Sequence, residues 1–217
     1  MTILTEAQQL FLRTAASVPL VRRDFFLTGG TALAEYVLHH RLSEDLDLFT
    51  AVPNAVPLAL VALRAPLEAA GFTVEVIRAF DTFTELRVRL GVETIKVDLA
   101  QDTPFRLAPT IPDEAHGLAR DSLDDLSANK VAALFGRAEP KDFVDVYFLQ
   151  REHGPLDALI EKARAKHLGI DDYWLAQAFA RAKDVGVLPR MIRPLTIDEL
   201  REFFVAEADR RMRLVMR

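Results

Sequence analysis

At 217 residues, 50% hydrophobic and 27% charged, the chain has a globular rather than a disordered composition, with room for a full core and two modest domains. The absence of cysteine excludes disulfides and thiolate metal sites, and no apolar run approaches the roughly 18 to 20 residues that cross a bilayer. A net charge of −5 gives no whole-molecule attraction to nucleic acid; the opening "MTILTEAQQLFLRTAASV" lacks a basic start, so no signal peptide is expected and the cytoplasm is the expected compartment.

Residues 3–18 carry apolar spacing near 3.6 and predict a helix, with Thr5 and Gln8 in capping-box spacing. "FFLT" (25–28) predicts a short strand running into Gly29-Gly30, and "TALAEYVLHH" (31–40) a helix that His39-His40 would end. "DLDLF" (45–49) alternates at the strand period. A helix is expected from Pro57 to about Ala70, stopped by Gly71. Three β-type runs follow, "FTVEVIRAF", "TFTELRVRL" and "ETIKVDLAQ", the last two joined by a hairpin turn at Gly91. Three prolines between Pro104 and Pro112 mark a linker and set the expected domains at 1–112 and 113–217. The second half reads as wholly helical: "SLDDLSANKVAALFGR", "KDFVDVYFLQREH", then helices near 156–167, 171–184 and 197–215, the last with Thr196 and Glu199 as a capping box. The basic runs "EKARAKH" (161–167) and "RRMRLVMR" (210–217) read as solvated helix faces and a helix C-terminus, and Tyr173 and Trp174 as core or interface aromatics.

The chemistry gathers in the first half. On a strand, side chains at i and i+2 share a face, so Asp45 and Asp47 project together while Leu46 and Leu48 enter the core. Two like charges side by side repel unless a cation lies between them, and hard carboxylate oxygens suit Mg²⁺ or Mn²⁺; the plainer alternative is a half-exposed strand with both acids in water. In "IKVDLA", Asp98 again sits between buried neighbours. If that strand lies beside 45–49, three carboxylates converge as two-ion phosphoryl transfer requires, with Asp98 as base or third ligand. Gly29-Gly30-Thr31 lies at a strand-to-helix junction, where glycine permits close approach of a bound group and free amides face an anion; a triphosphate fits. Ser43 is a turn residue that could also touch a phosphate. Few cations stand near these acids in the pattern. Lys130 lies four residues from both Leu126 and Leu134, on an apolar stripe, so it must pair with an acid, Asp142 or Asp145, or point into a cleft.

The ordered set "LTGGTALA", "RLSEDLDLF" and "IKVDLA" resembles the nucleotidyltransferase superfamily with a DNA polymerase β-like core. More narrowly, Arg41-x-Ser43-x-Asp45-x-Asp47 is similar to the first motif of the AbiEii/AbiGii-type toxins, the MenT-like group included, and "LSANKVAALFGRAEPKDFVDVYFL" (126–149) is similar to that family's helical signature. The resemblance implies an α+β fold, a mixed-sheet core followed by a helical bundle that completes the cleft. It implies transfer of a nucleotidyl group from an NTP, with Mg²⁺ or Mn²⁺ held by Asp45, Asp47 and Asp98. Gly29, Gly30, Thr31, Arg41 and Ser43 would line the nucleotide, Lys130 would meet the triphosphate and serve catalysis, and Asp142 would shape the pocket. The implied acceptor is the 3′ end of a tRNA, and the implied partner a separate antitoxin. Two rivals remain: a related enzyme acting on a small molecule or protein, and a non-catalytic binding module, which would need a lost acid where none of the three is lost. The G-x-x-x-x-G-K-[ST] pattern is absent, which excludes a P-loop NTPase.

Overall fold

The structure, a computed structural model, describes residues 2–216 and resolves two compact units, one of residues 1–37 and 43–122 and the other of 38–42 and 123–217. Arg217 of the arginine-rich end lies outside the described residues. Among them, no helix is long and apolar enough to cross a membrane.

The first unit begins with helix α1 (Glu6–Ser17), closed at its start by the Thr5/Gln8 capping box the spacing predicts, and a short helix α2 (Pro19–Asp24) that was not expected from the sequence. Strand β1 (Phe25–Thr28) leads into α3 (Gly29–Leu33), which widens into a π-type turn over Ala34–Leu38. His39 then turns left-handed at φ 48° and ends the run, the stop expected of it. Strand β2 (Asp45–Thr50) follows, then α4 (Ala55–Ala69), which starts two residues before Pro57, and β3 (Thr73–Phe80), β4 (Phe83–Leu90) and β5 (Glu93–Gln101). Two-residue strands β6 (Ile111–Pro112) and β7 (Ala119–Arg120) complete one mixed sheet in the order β3-β4-β5-β2-β1-β7-β6. β2 runs parallel to β5, and β1 parallel to β7; the other pairs are antiparallel.

Alternation divides this sheet. Leu46, Leu48, Leu86, Val88, Ile95, Val97 and Leu99 are fully buried on the face packed against α1 and α4, each contributing roughly 1.5 to 3 kcal/mol. The polar positions between them form the opposite face.

The expected domain boundary at 112 is corrected by β7. Phe26 and Leu27 pair with Ala119 and Arg120, so the α/β unit continues to Ser122. The proline-rich stretch is no free linker either: the Arg106 side chain pairs with Asp121 and lies 4.4 Å over the Phe26 ring. Beyond Pro109 the chain is held by the pairing of Ile111 and Pro112 with Arg120 and Ala119.

The helical unit comprises α5 (Leu123–Gly136), α6 (Pro140–Glu152), α7 (Leu156–Lys166), α8 (Asp172–Ala180) and α9 (Ile197–Val215), the last with its expected Thr196/Glu199 box. Its centre is aromatic: the Phe204 ring meets Phe143 at 5.0 Å and Phe179 at 5.4 Å. A strap from the first half, residues 38–42, belongs to this unit. The His40 carbonyl accepts from the Ile192 and Arg193 amides, and the Leu42 amide donates to the Arg190 carbonyl.

Candidate functional site

Strand register assembles the acids. Asp47 on β2 stands directly beside Asp98 on β5, with strands roughly 4.8 Å apart, so both carboxylates lie on the open face. The same cross-sheet row continues to Thr28 on one side and to Glu85 and Arg78 on the other. One step along the strands, a second row holds Asp45, Lys96, Arg87 and Glu75. Asp45, Asp47 and Asp98 are therefore brought together on one face, each partly buried, while their apolar neighbours fix the strands from behind.

The turn before the acids is shaped to them. Gly29 adopts φ +72°, a left-handed conformation that L side chains rarely adopt, and a Cβ there would overlap the Asp47 carboxylate. Gly30 occupies the first turn of α3 beside it. Thr31 is buried, and its hydroxyl donates to the Asp45 carbonyl. Its proton thus fixes the start of β2, leaving backbone amides as what this turn offers a phosphate. Ser43 is likewise held through its backbone, the carbonyl accepting from Gln8 Nε2 at 2.9 Å.

A cation stands among the acids where the sequence pattern showed few. Lys96 Nζ lies 2.6 Å from Asp98 Oδ2, the lysine side chain 41% exposed and the aspartate 14%. Burial works against the Lys96 charge, but Asp98 and then Asp45 and Asp47 outweigh it and raise its pKa. Asp98 sits above its ordinary value, chiefly through burial, with Lys96 opposing and Glu85 and Asp45 adding to the rise. Its Oδ1 is buried with no hydrogen-bond partner, which is costly for a carboxylate oxygen. Lys96 was legible in principle: it lies two residues before Asp98, on the same face of a strand. Asp121 was not, because only β7 places it beside Thr28, whose hydroxyl donates to its Oδ2 at 2.7 Å.

The carboxylate oxygens and the unsatisfied Asp98 Oδ1 suit a hard divalent ion. Among the described residues, no three acidic or histidine side chains converge closely enough to hold one as they stand. Lys96 already occupies the position a cation would take against Asp98.

The remaining expected residues lie in the helical unit. Arg41 grips Asp145 with Nε–Oδ1 2.7 Å and Nη2–Oδ2 2.8 Å, and Lys130 Nζ lies 2.7 Å from Asp145 Oδ2. His40 Nε2 lies 2.7 Å from Oδ1 of the same acid. Burial opposes ionisation of Asp145, yet Lys130 and Arg41 overcome it and hold the acid well below the usual carboxylate range. Lys130 thus pairs with an acid, one of the alternatives its apolar stripe left open. Asp142 is fully buried, bound by Arg137 through two contacts of 2.8 Å, and it forms a capping box with Glu139 at the start of α6. The structure thus brings the three acids and the glycine turn together, and gathers Arg41 and Lys130 on Asp145.

Residues 10–216 match a family model described as "Nucleotidyl transferase AbiEii toxin, Type IV TA system". An uncharacterized protein of Aquifex aeolicus (strain VF5) is 28% identical over 149 residues, 68% of each chain. Among solved structures, JHP933 from Helicobacter pylori superposes with a TM-score of 0.58 at 16% identity, covering 95% of this chain and 89% of that one. MenT4, a nucleotidyltransferase toxin from Mycobacterium tuberculosis H37Rv, gives 0.55 at 18% identity, covering 95% and 84%. At such identities the two structures speak for the mixed α+β fold.

Proposed function

Because the chain belongs to the AbiEii nucleotidyltransferase toxin family, we propose that it is a divalent-metal-dependent enzyme joining a nucleotidyl group from an NTP to the 3′ end of a tRNA. The observation that carries the reading is the register of β2 on β5, which sets Asp47 beside Asp98 with Asp45 on the same face. Asp45, Asp47 and Asp98 would hold Mg²⁺ or Mn²⁺. When bound, such an ion supplies Lewis-acid activation of the attacking oxygen and neutralises charge on the leaving pyrophosphate.

The acceptor hydroxyl oxygen forms a bond to the α-phosphorus; the bond from that phosphorus to the α,β-bridging oxygen breaks, and pyrophosphate leaves with the electron pair. Asp98, beside Asp47 in register, would take the hydroxyl proton if it serves as the base rather than as the third ligand. Gly29 keeps the Asp47 carboxylate against the start of α3, where backbone amides face the phosphates. A tRNA acceptor puts the reaction in the cytoplasm, and a separate antitoxin would restrain it.

The test is to incubate the protein with each α-labelled NTP, Mg²⁺ and total cell RNA. Label on the tRNA fraction, lost on chelation, is the expected result. Label on protein instead would move the acceptor to a polypeptide, and no transfer to any fraction would defeat the reading.

A further inference from the structure

We infer that Lys96 is a built-in counter-ion for the acid row, neutralising Asp98 until a metal–nucleotide complex takes that carboxylate, and then released to the nucleotide's phosphates. The inference rests on reading the row as a metal–nucleotide site. Four observations support it, all within the α/β unit.

Lys96 is the cation most closely matched to these acids. It stands beside Asp45 in register and its ammonium lies 2.6 Å from Asp98 Oδ2. The neighbouring cations are engaged elsewhere: Arg87 Nη1 binds Glu75 at 3.0 Å and Arg78 Nη2 binds Glu85 at 2.6 Å.

Its other cross-strand neighbour is Arg87. Like charges facing each other across a strand pair repel, which biases the ammonium toward the aspartates.

The two partners differ in freedom. Asp98 is largely enclosed, whereas the Lys96 side chain is 41% exposed. A lysine is a point charge on a flexible stem, and half-exposed ion pairs are weak, so the ammonium can leave while the carboxylate stays.

Finally, Asp98 is half satisfied. Oδ2 has Lys96 while Oδ1 is buried without a partner, so the lysine covers one oxygen of a group able to accept more.

A resident cation competes with an incoming one. Lys96→Met removes the charge and keeps the length of the stem. Two quantities are read on the folded protein: Mn²⁺ binding without nucleotide, and binding of a non-hydrolysable α,β-methylene NTP compared with the matching nucleoside monophosphate. Lys96→Met should bind Mn²⁺ about five- to tenfold more tightly and the triphosphate analogue about tenfold more weakly, with the monophosphate nearly unchanged. Lys96→Gln should repeat both shifts, which secures the result if the methionine variant does not fold. Mn²⁺ affinity that is unchanged or weakened in both variants overturns the inference. Asp47→Asn separates the two ideas: if it loses Mn²⁺ binding while the Lys96 variants gain none, only the counter-ion role fails. If wild type binds Mn²⁺ no better than Asp47→Asn, the metal site and the counter-ion role fail together.

Discussion

Gly29 and Asp47 occupy mutually dependent positions: the carboxylate lies where a side chain on residue 29 would have to be, and the backbone there is left-handed at φ +72°. Gly29→Ala therefore meets strain and overlap together, at a cost of roughly 1 to 3 kcal/mol in the folded state. It should also push the Asp47 carboxylate out of the row. The expected outcome is a protein that still melts cooperatively, a few degrees lower, with transfer reduced at least tenfold; a Gly29→Ala variant of wild-type rate would detach the turn from the acids.

Asp45→Asn and Asp47→Asn should each lower transfer by about a hundredfold or more, in the range lost when one electrostatic contact of a reacting centre is removed. Both acids lie on the polar face of the sheet, and removing charge from a crowded acidic row should leave the melting temperature level or higher. Rate assays beside thermal melts decide it, and near-normal turnover in either variant would end the two-ion reading.

Asp145 supplies a prediction of the opposite kind. It is fully buried beneath Arg41, Lys130 and His40, so Asp145→Asn leaves two buried cations uncompensated, at about 3 to 5 kcal/mol. Lys130→Ala should cost less, because Arg41 keeps both oxygens of Asp145 occupied. Chemical denaturation of the two single variants and the double variant gives the coupling energy. A Lys130→Ala protein of unchanged stability but weakened NTP binding would assign Lys130 to the triphosphate, as the family resemblance implies.

The same cluster predicts a pH dependence. Burial first of all lowers the His40 pKa below its ordinary 6.5, with Arg41 and Lys130 adding to the fall and Asp145 opposing it. A histidine whose folded pKa lies below its unfolded one binds more protons unfolded, so stability rises with pH across that window and is lost as pH falls from about 6.5. Melting temperature should drop between pH 7 and pH 5, and His40→Gln should flatten that part of the curve. Asp145, held well below the carboxylate range, contributes stability present above its ordinary 3.8 and lost only at lower pH. A wild-type curve flat from pH 7 to 5 would contradict the His40 assignment.

Legibility in the sequence followed the range of each interaction. The two-residue period of "DLDLF" put Asp45 and Asp47 on one face, and caps such as Thr5/Gln8 and Thr196/Glu199 are local, so all could be read without neighbours. That Asp98 joins the pair was conditional on the strands being adjacent, and β2–β5 pairing meets the condition. What the sequence hid depends on distant partners. β7 has two paired residues and no hydrophobic alternation, so its place beside β1, and with it Asp121, has no local signal. Arg41 reads as part of the aspartate motif through the family resemblance, and its pairing with Asp145, 104 positions away, has no local signal.

The strap of residues 38–42 has a consequence for the order in which the chain is made. Everything the α/β unit needs, apart from those five residues, has been synthesised by residue 122. Asp145 is added 104 residues after Arg41, about 5 to 20 s later at ordinary elongation rates, and the backbone at 190–193 later still. Until then His40 and Arg41 have none of the partners that bury them, and the peptide joining the glycine turn to the aspartate strand is untethered at its centre. Chains ending near residue 125 and held clear of the ribosomal tunnel by a C-terminal linker should therefore show a protease-resistant sheet with a cleavable site at 38–42, resistant only in chains that extend past residue 193 and carry the same linker. A growing chain would carry an ordered acid row while the peptide that leads into it is still open to attack.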